Sequence, residues 1–144
     1  MAPVCAGLGE VRRREKVEGR RMSLMARRMR DAGFRDDQWQ HRYDAHIAPI
    51  NQFVDELRQL SGLDSAPYVA PMYGGVNARL LSVLRDPGPK TQIANAGSGF
   101  LCMENDDASA EAISELFADA RIVASDIVPL NVYPWYINRA PRAA

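Results

Sequence analysis

Apolar residues recur at spacings of three and four from Trp39 to Leu60, through Tyr43, Ile47, Ile50, Phe53, Val54 and Leu57. A stripe of that period predicts a long amphipathic helix over about residues 37–61. Pro49 cannot donate and crowds the turn before it, so the helix is expected to kink or divide after residues 46–48. Gly62 is the expected stop. Residues 64–75, punctuated by proline and glycine, read as an extended connector. Residues 79–84 are short and almost continuously apolar, the pattern of a buried strand. Residues 91–99 are small, polar and turn-prone. A second helix is expected over about residues 108–120, with Asp107 as N-cap and Ala112, Ile113, Leu116, Phe117 and Ala120 toward the core. A second strand follows at about residues 125–132.

Strand, loop, helix and strand in that order make one βαβ crossover. The fold class expected is therefore α/β: a three-layer α/β/α arrangement with a parallel sheet, preceded by the long helix. Two strands are few for such a sheet, and the chain stops at Ala144 soon after the second. The expectation is an incomplete copy of a larger domain, with residues 1–35 a basic N-terminal extension, partly disordered or helical, and residues 36–144 the α/β portion. There are no internal repeats.

The length of 144 residues suits one domain, and 47% hydrophobic with 25% charged residues is ordinary for a globular protein. Net charge is zero and lends no support to nucleic-acid binding. Its distribution is uneven: residues 1–30 hold nine Arg or Lys against three Glu, and residues 101–120 hold six acids and no base. The basic arm is either a solvated extension or a phosphate contact. Cys5 and Cys102 are far apart, with no metal-ligand spacing, so neither a metal nor an iron–sulfur cofactor is expected. No signal-peptide core and no membrane-length apolar run occurs, so a cytoplasmic protein, a monomer without membrane contact, is expected.

The candidate chemistry begins at Leu84-Arg85-Asp86-Pro87-Gly88-Pro89-Lys90, which breaks the first strand with an acid between rigid and permissive residues. Asp86 is either a turn residue or a site carboxylate at a strand's carboxyl end, where open α/β sheets bind ligands. Asn131, in an otherwise apolar strand, is either structurally bonded or reads a ligand. Parallel strands place both at one sheet edge. Phe100, after Gly97-Ser98-Gly99, either stacks on a planar ligand or anchors its loop to the core. His41 and His46 have no metal partner at suitable spacing and are read as structural. Trp135 and Tyr136 are read as anchors. The glycines make neither a P-loop nor a dinucleotide fingerprint.

Asp86-Pro87 after a hydrophobic strand, Gly99-Phe100-Leu101-Cys102, and Asn131 closing the next strand together resemble the uracil-DNA glycosylase superfamily. Tyr73-Gly74-Gly75, Asn105-Asp106-Asp107 and Pro134-Trp135-Tyr136 look especially like its bacterial members, and the match spans roughly residues 70–138. The resemblance implies DNA base-excision repair, in which a uracil or related damaged base is flipped from DNA and its N-glycosidic bond hydrolysed. It implies Asp86 as the catalytic group that activates water, Phe100 (with Met103 the alternative) stacking on the base, and Asn131 pairing with the base edge. Pro87, Gly88, Pro89 and Lys90 would face the DNA backbone. No metal or other cofactor is implied.

The sequence departs from the family pattern at three places. Leu84 stands where the loop usually begins with Gly, and Gly88 where a well-known branch has a bulky Tyr. No His follows His46, so the His-Pro-Ser loop expected beyond Asn131 is absent. A catalytically inactive remnant that still binds bases is therefore the alternative expectation. An unrelated α/β domain, with Asp86 in a plain turn, is a third.

Overall fold

Asp31 and Pro49 set where the first two helices begin. The Asp31 side chain accepts from the Phe34 N–H at 2.7 Å and caps helix α1, Ala32–Gln40. Pro49 lies in the first turn of α2, Ala48–Ser61, where its missing donor matters least. Gly62 ends α2 at φ 64°, as expected from sequence. The long stripe is thus divided, but the break opens earlier than Pro49 alone requires, with residues 41–47 in turns. The computed structural model describes residues 26–137.

Four short strands follow: β1 Tyr68–Val69, β2 Leu80–Leu84, β3 Phe100–Leu101 and β4 Ile127–Asn131. β1 pairs parallel with β3, Tyr68 opposite Phe100. β2 pairs parallel with β4, from Leu80 opposite Ile127 to Leu84 opposite Asn131. Helix α3, Ala108–Asp119, lies between β3 and β4 in the chain, and Asp107 caps it by accepting from the Ala110 N–H at 2.8 Å. The result is a small α/β fold with two parallel strand pairs, and the βαβ order expected for β2, α3 and β4 is present.

Three sequence expectations are corrected. Residues 64–75 are more than a connector, because β1 lies within them and pairs with a strand that the glycine-rich run had hidden. β2 is no buried strand: Leu81 and Val83 are 58% and 56% exposed. They share a face with their partners Val128 and Leu130, while Ser82 and Leu84 point the other way, toward α3, as strand alternation requires. In α3 the inner residues are Ala110, Ile113 and Phe117, while Ala112, Leu116 and Ala120 are exposed. An alanine-rich helix offers two nearly equal apolar stripes, and packing picks one.

The core joins Ile47, Val54, Val69, Phe100 and Ile127. Asn51 is buried among them with its amide satisfied: Nδ2 donates to the carbonyls of Arg42 and Val69, and Oδ1 accepts from Val69 N–H at 2.8 Å. Gly75, at φ 56°, passes so close to the turn before α2 that a Cβ would stand 2.0 Å from the His46 carbonyl oxygen. The boundary expected at residue 35 falls inside α1, and Met29 is already buried in the core.

Candidate functional site

The β2–β4 register decides what meets at the strand ends. Leu84 is opposite Asn131, and the ladder runs on through Val132 N–H to Leu84 O at 2.8 Å and Tyr133 N–H to Arg85 O at 3.0 Å. Asp86 follows at once. Its side chain is only 9% exposed and pairs with the Arg85 guanidinium, which stands 89% exposed. That hydrogen bond raises the Arg85 pKa above its ordinary value.

Asp86 lines a cleft of about 560 Å³ with Ser82, Leu84, Met103, Phe117 and Ile127, within the size range of small-molecule sites. The cleft lies between the inner face of β2–β4 and α3. Its second carboxylate, Asp107, is engaged as the α3 cap. A second cleft of about 540 Å³ is lined by Arg58, Asp64, Gln92, Ile93 and Tyr136. Thr91 borders both, and its hydroxyl donates to the Gly88 carbonyl at 2.7 Å, bracing the Asp86 loop.

Of the residues singled out in sequence, Asp86 and Asn131 are brought to one edge. Phe100 is not at that edge as a stacking surface: it is 0% exposed in β3, between Trp39 at 4.9 Å and Tyr68 at 6.4 Å between ring centroids. Its ring offers no free face, so it is the loop anchor, and Met103 is the residue that lines the same cleft as Asp86. The reason is at Gly99, whose φ of 82° and missing Cβ let Trp39 close over the turn. Gly88 and Pro89 are exposed and Lys90 half-buried, as a backbone-facing loop needs, but Pro87 is fully buried and cannot touch DNA.

The described end of the basic arm is turned inward. Arg27 bonds Glu111 at 2.6 Å and Asp106 at 3.2 Å, Arg30 bonds Asp106 at 2.7 Å, and Arg28 bonds Glu104. Basic and acidic stretches thus neutralise each other at the loop before α3 and at its first turn, and Arg30 with Arg27 holds the Asp106 carboxyl below its usual range. Opposite charge bias in two segments was the sequence signal for this contact, though it does not by itself say that they meet. His46 Nε2 bonds the Pro71 carbonyl at 2.9 Å, a structural role. Among the described residues no group of three or more His, Cys, Asp or Glu is placed to hold a metal, and no helix is long and apolar enough to cross a membrane. The chain matches no family model, no curated protein and no solved structure.

Proposed function

We propose that this chain carries a uracil-DNA glycosylase-like site, within a three-layer α/β/α arrangement, that hydrolyses the N-glycosidic bond of uracil or a related damaged base in DNA. One observation supports it above others: the register that makes Leu84 and Asn131 partners sets Asp86 and Asn131 at one strand edge, with Asp86 on a cleft of ligand size. In this reading Asp86 accepts a proton from water as its oxygen attacks the sugar C1′. The C1′–N bond breaks, its electron pair leaves with the base, and the nearby carboxylate stabilises the positive charge that develops on the sugar. Asn131 offers an amide donor and acceptor to the base edge. Met103 packs beside it, and exposed Gly88 and Pro89 approach the phosphate backbone.

A second reading, base recognition without hydrolysis, draws on the cleft itself. Asp107 is spent on capping α3, which leaves Asp86 without a second carboxylate free to share acid–base work among the described lining residues. Incubating the full chain with an oligonucleotide carrying a single uracil, followed by alkaline strand cleavage, separates the two. Abasic product supports the glycosylase. Uracil binding without product supports the second reading, and neither product nor binding overturns both.

A further inference from the structure

The cleft of about 540 Å³ takes no part in the proposed reaction, since Asp86 does not line it. Two of its lining residues hold polar groups that the fold fixes in place and leaves unspent. Gln92 is 8% exposed, and its Nε2 donates to the Ser65 carbonyl at 3.1 Å and to Thr91 Oγ1 at 2.7 Å. The Thr91 hydroxyl gives its own hydrogen to the Gly88 carbonyl, so both partners of Gln92 only accept. The amide nitrogen must therefore face them, and the amide oxygen, without a partner among the described residues, is left as an acceptor. The bond to Ser65 also ties one wall of the cleft to the other.

Arg58 is held from two sides. Its Nε and Nη2 both donate to the Ala66 carbonyl, and its guanidinium carbon lies 4.0 Å from the centre of the Tyr68 ring. Nη1 has no partner, and no ion pair among the described residues includes Arg58. A half-buried guanidinium fixed in this way, with no carboxylate on it, is an anion receptor ordered before its ligand arrives. Among the described residues the polar atoms sealed without a partner lie on Arg42, Asn131 and Trp135. Arg58 Nη1 and Gln92 Oε1 are not of that kind, and both residues line the one cleft. Exposed Asp64 lines it too, and Leu63, Ile93 and Tyr136 give it apolar surface.

A cationic donor, a neutral acceptor and a carboxylate around apolar surface suit a ligand with one negative group, one N–H-bearing positive group and an apolar body. Phosphate or a simple carboxylate satisfies Arg58, but leaves the Gln92 oxygen without a donor and shares the cleft with the charge of Asp64. We propose that this cleft binds a free α-amino acid with a large apolar side chain. Its carboxylate meets Arg58 Nη1, its ammonium meets Gln92 Oε1 and Asp64, and its side chain lies on Leu63, Ile93 and Tyr136. The volume is within the range of small-molecule sites. The proposal stands apart from the glycosylase reading, because neither Asp86 nor Asn131 belongs to this cleft.

The test is an NMR titration of the full ¹⁵N-labelled chain with four probes: L-phenylalanine, 3-phenylpropanoate without the ammonium, 2-phenylethylamine without the carboxylate, and inorganic phosphate. Phenylalanine at up to about 10 mM is expected to move the Gln92 side-chain amide and the backbone amides of Ser65, Ile93 and Asn95. Those of Asp86 and Met103 are expected to stay in place. Each half-molecule is expected to bind about tenfold or more weakly, the scale of one lost charged hydrogen bond. Asp64→Asn, an exposed change, is expected to weaken phenylalanine about two- to fivefold and to leave 3-phenylpropanoate no weaker. Arg58→Gln is expected to abolish binding, and the wild-type and Asp64 titrations carry the test even if that variant disturbs folding. No shift with phenylalanine, shifts centred on Asp86, or binding of a half-molecule or phosphate as tight as that of phenylalanine overturns the proposal. Abasic product judges the glycosylase reading separately.

Discussion

Leu84 and Asn131 are opposite partners at the end of the parallel pair β2–β4, and this single relationship fixes the distance along the sheet edge between Asp86 and Asn131. If the edge is a base-excision site, the two residues have separable roles. Asp86→Asn is expected to lower excision of uracil about 100-fold or more, the scale of a lost acid–base group, while uracil still binds. Asn131→Ala is expected to abolish binding and excision together. Excision rates beside thermal shifts with free uracil measure the split, and equal loss of binding in both variants would contradict it.

Trp39 lies 2.5 Å from where a Cβ on Gly99 would stand, and Gly99 has a φ of 82°. Strain and overlap act together, so Gly99→Ala is expected to destabilise the fold by about 2 kcal/mol or more. Gly88→Ala meets nothing within 4 Å and is expected to change stability by less than about 0.5 kcal/mol. Urea denaturation of the two variants checks the contrast.

Asp106 is bonded by Arg30 and Arg27, which hold its carboxyl below the ordinary value. A carboxyl depressed in the folded state stabilises the fold at pH above its unfolded value of about 4. That contribution is lost as pH falls through the lower folded value. Asp106→Asn is therefore expected to lower stability near neutral pH and to flatten the acid-side decline. Salt is expected to reduce the difference, since Arg30 is exposed. Urea midpoints at several pH values and two ionic strengths read both effects.

Cys102 is buried, and burial pushes its thiol up to about 12. With so little thiolate at neutral pH it is expected to resist an aromatic disulfide reagent in the native protein and to react at once in denaturant. Cys5→Ser isolates its signal. Rapid native labelling of Cys102 would mean that the cleft admits the reagent to the core.

Much of this organisation was readable along the chain. The Asp107 cap, the Gly62 stop, the β2–α3–β4 order and the parallel pairing follow from local stereochemistry and period, and local rules suffice where a residue's partners are its neighbours. The same rules hid β1 and β3, two-residue strands embedded in proline- and glycine-rich segments, because such strands exist through each other and not through their own propensity. They also gave Phe100 two roles and could not choose, since whether an aromatic ring faces a ligand or the core depends on Trp39, sixty-one residues away.

The amino-acid sequence by itself determined the elements, their caps and the acid and amide that end two strands. Only the tertiary structure decided that Asp86 and Asn131 share an edge, that Phe100 is sealed beneath Trp39, and that the arginines of residues 27–30 are spent on acids in the loop before α3 and in its first turn. Each of those outcomes depends on contacts between residues distant in the chain, and burial and pairing are properties of such contacts, which no local pattern encodes.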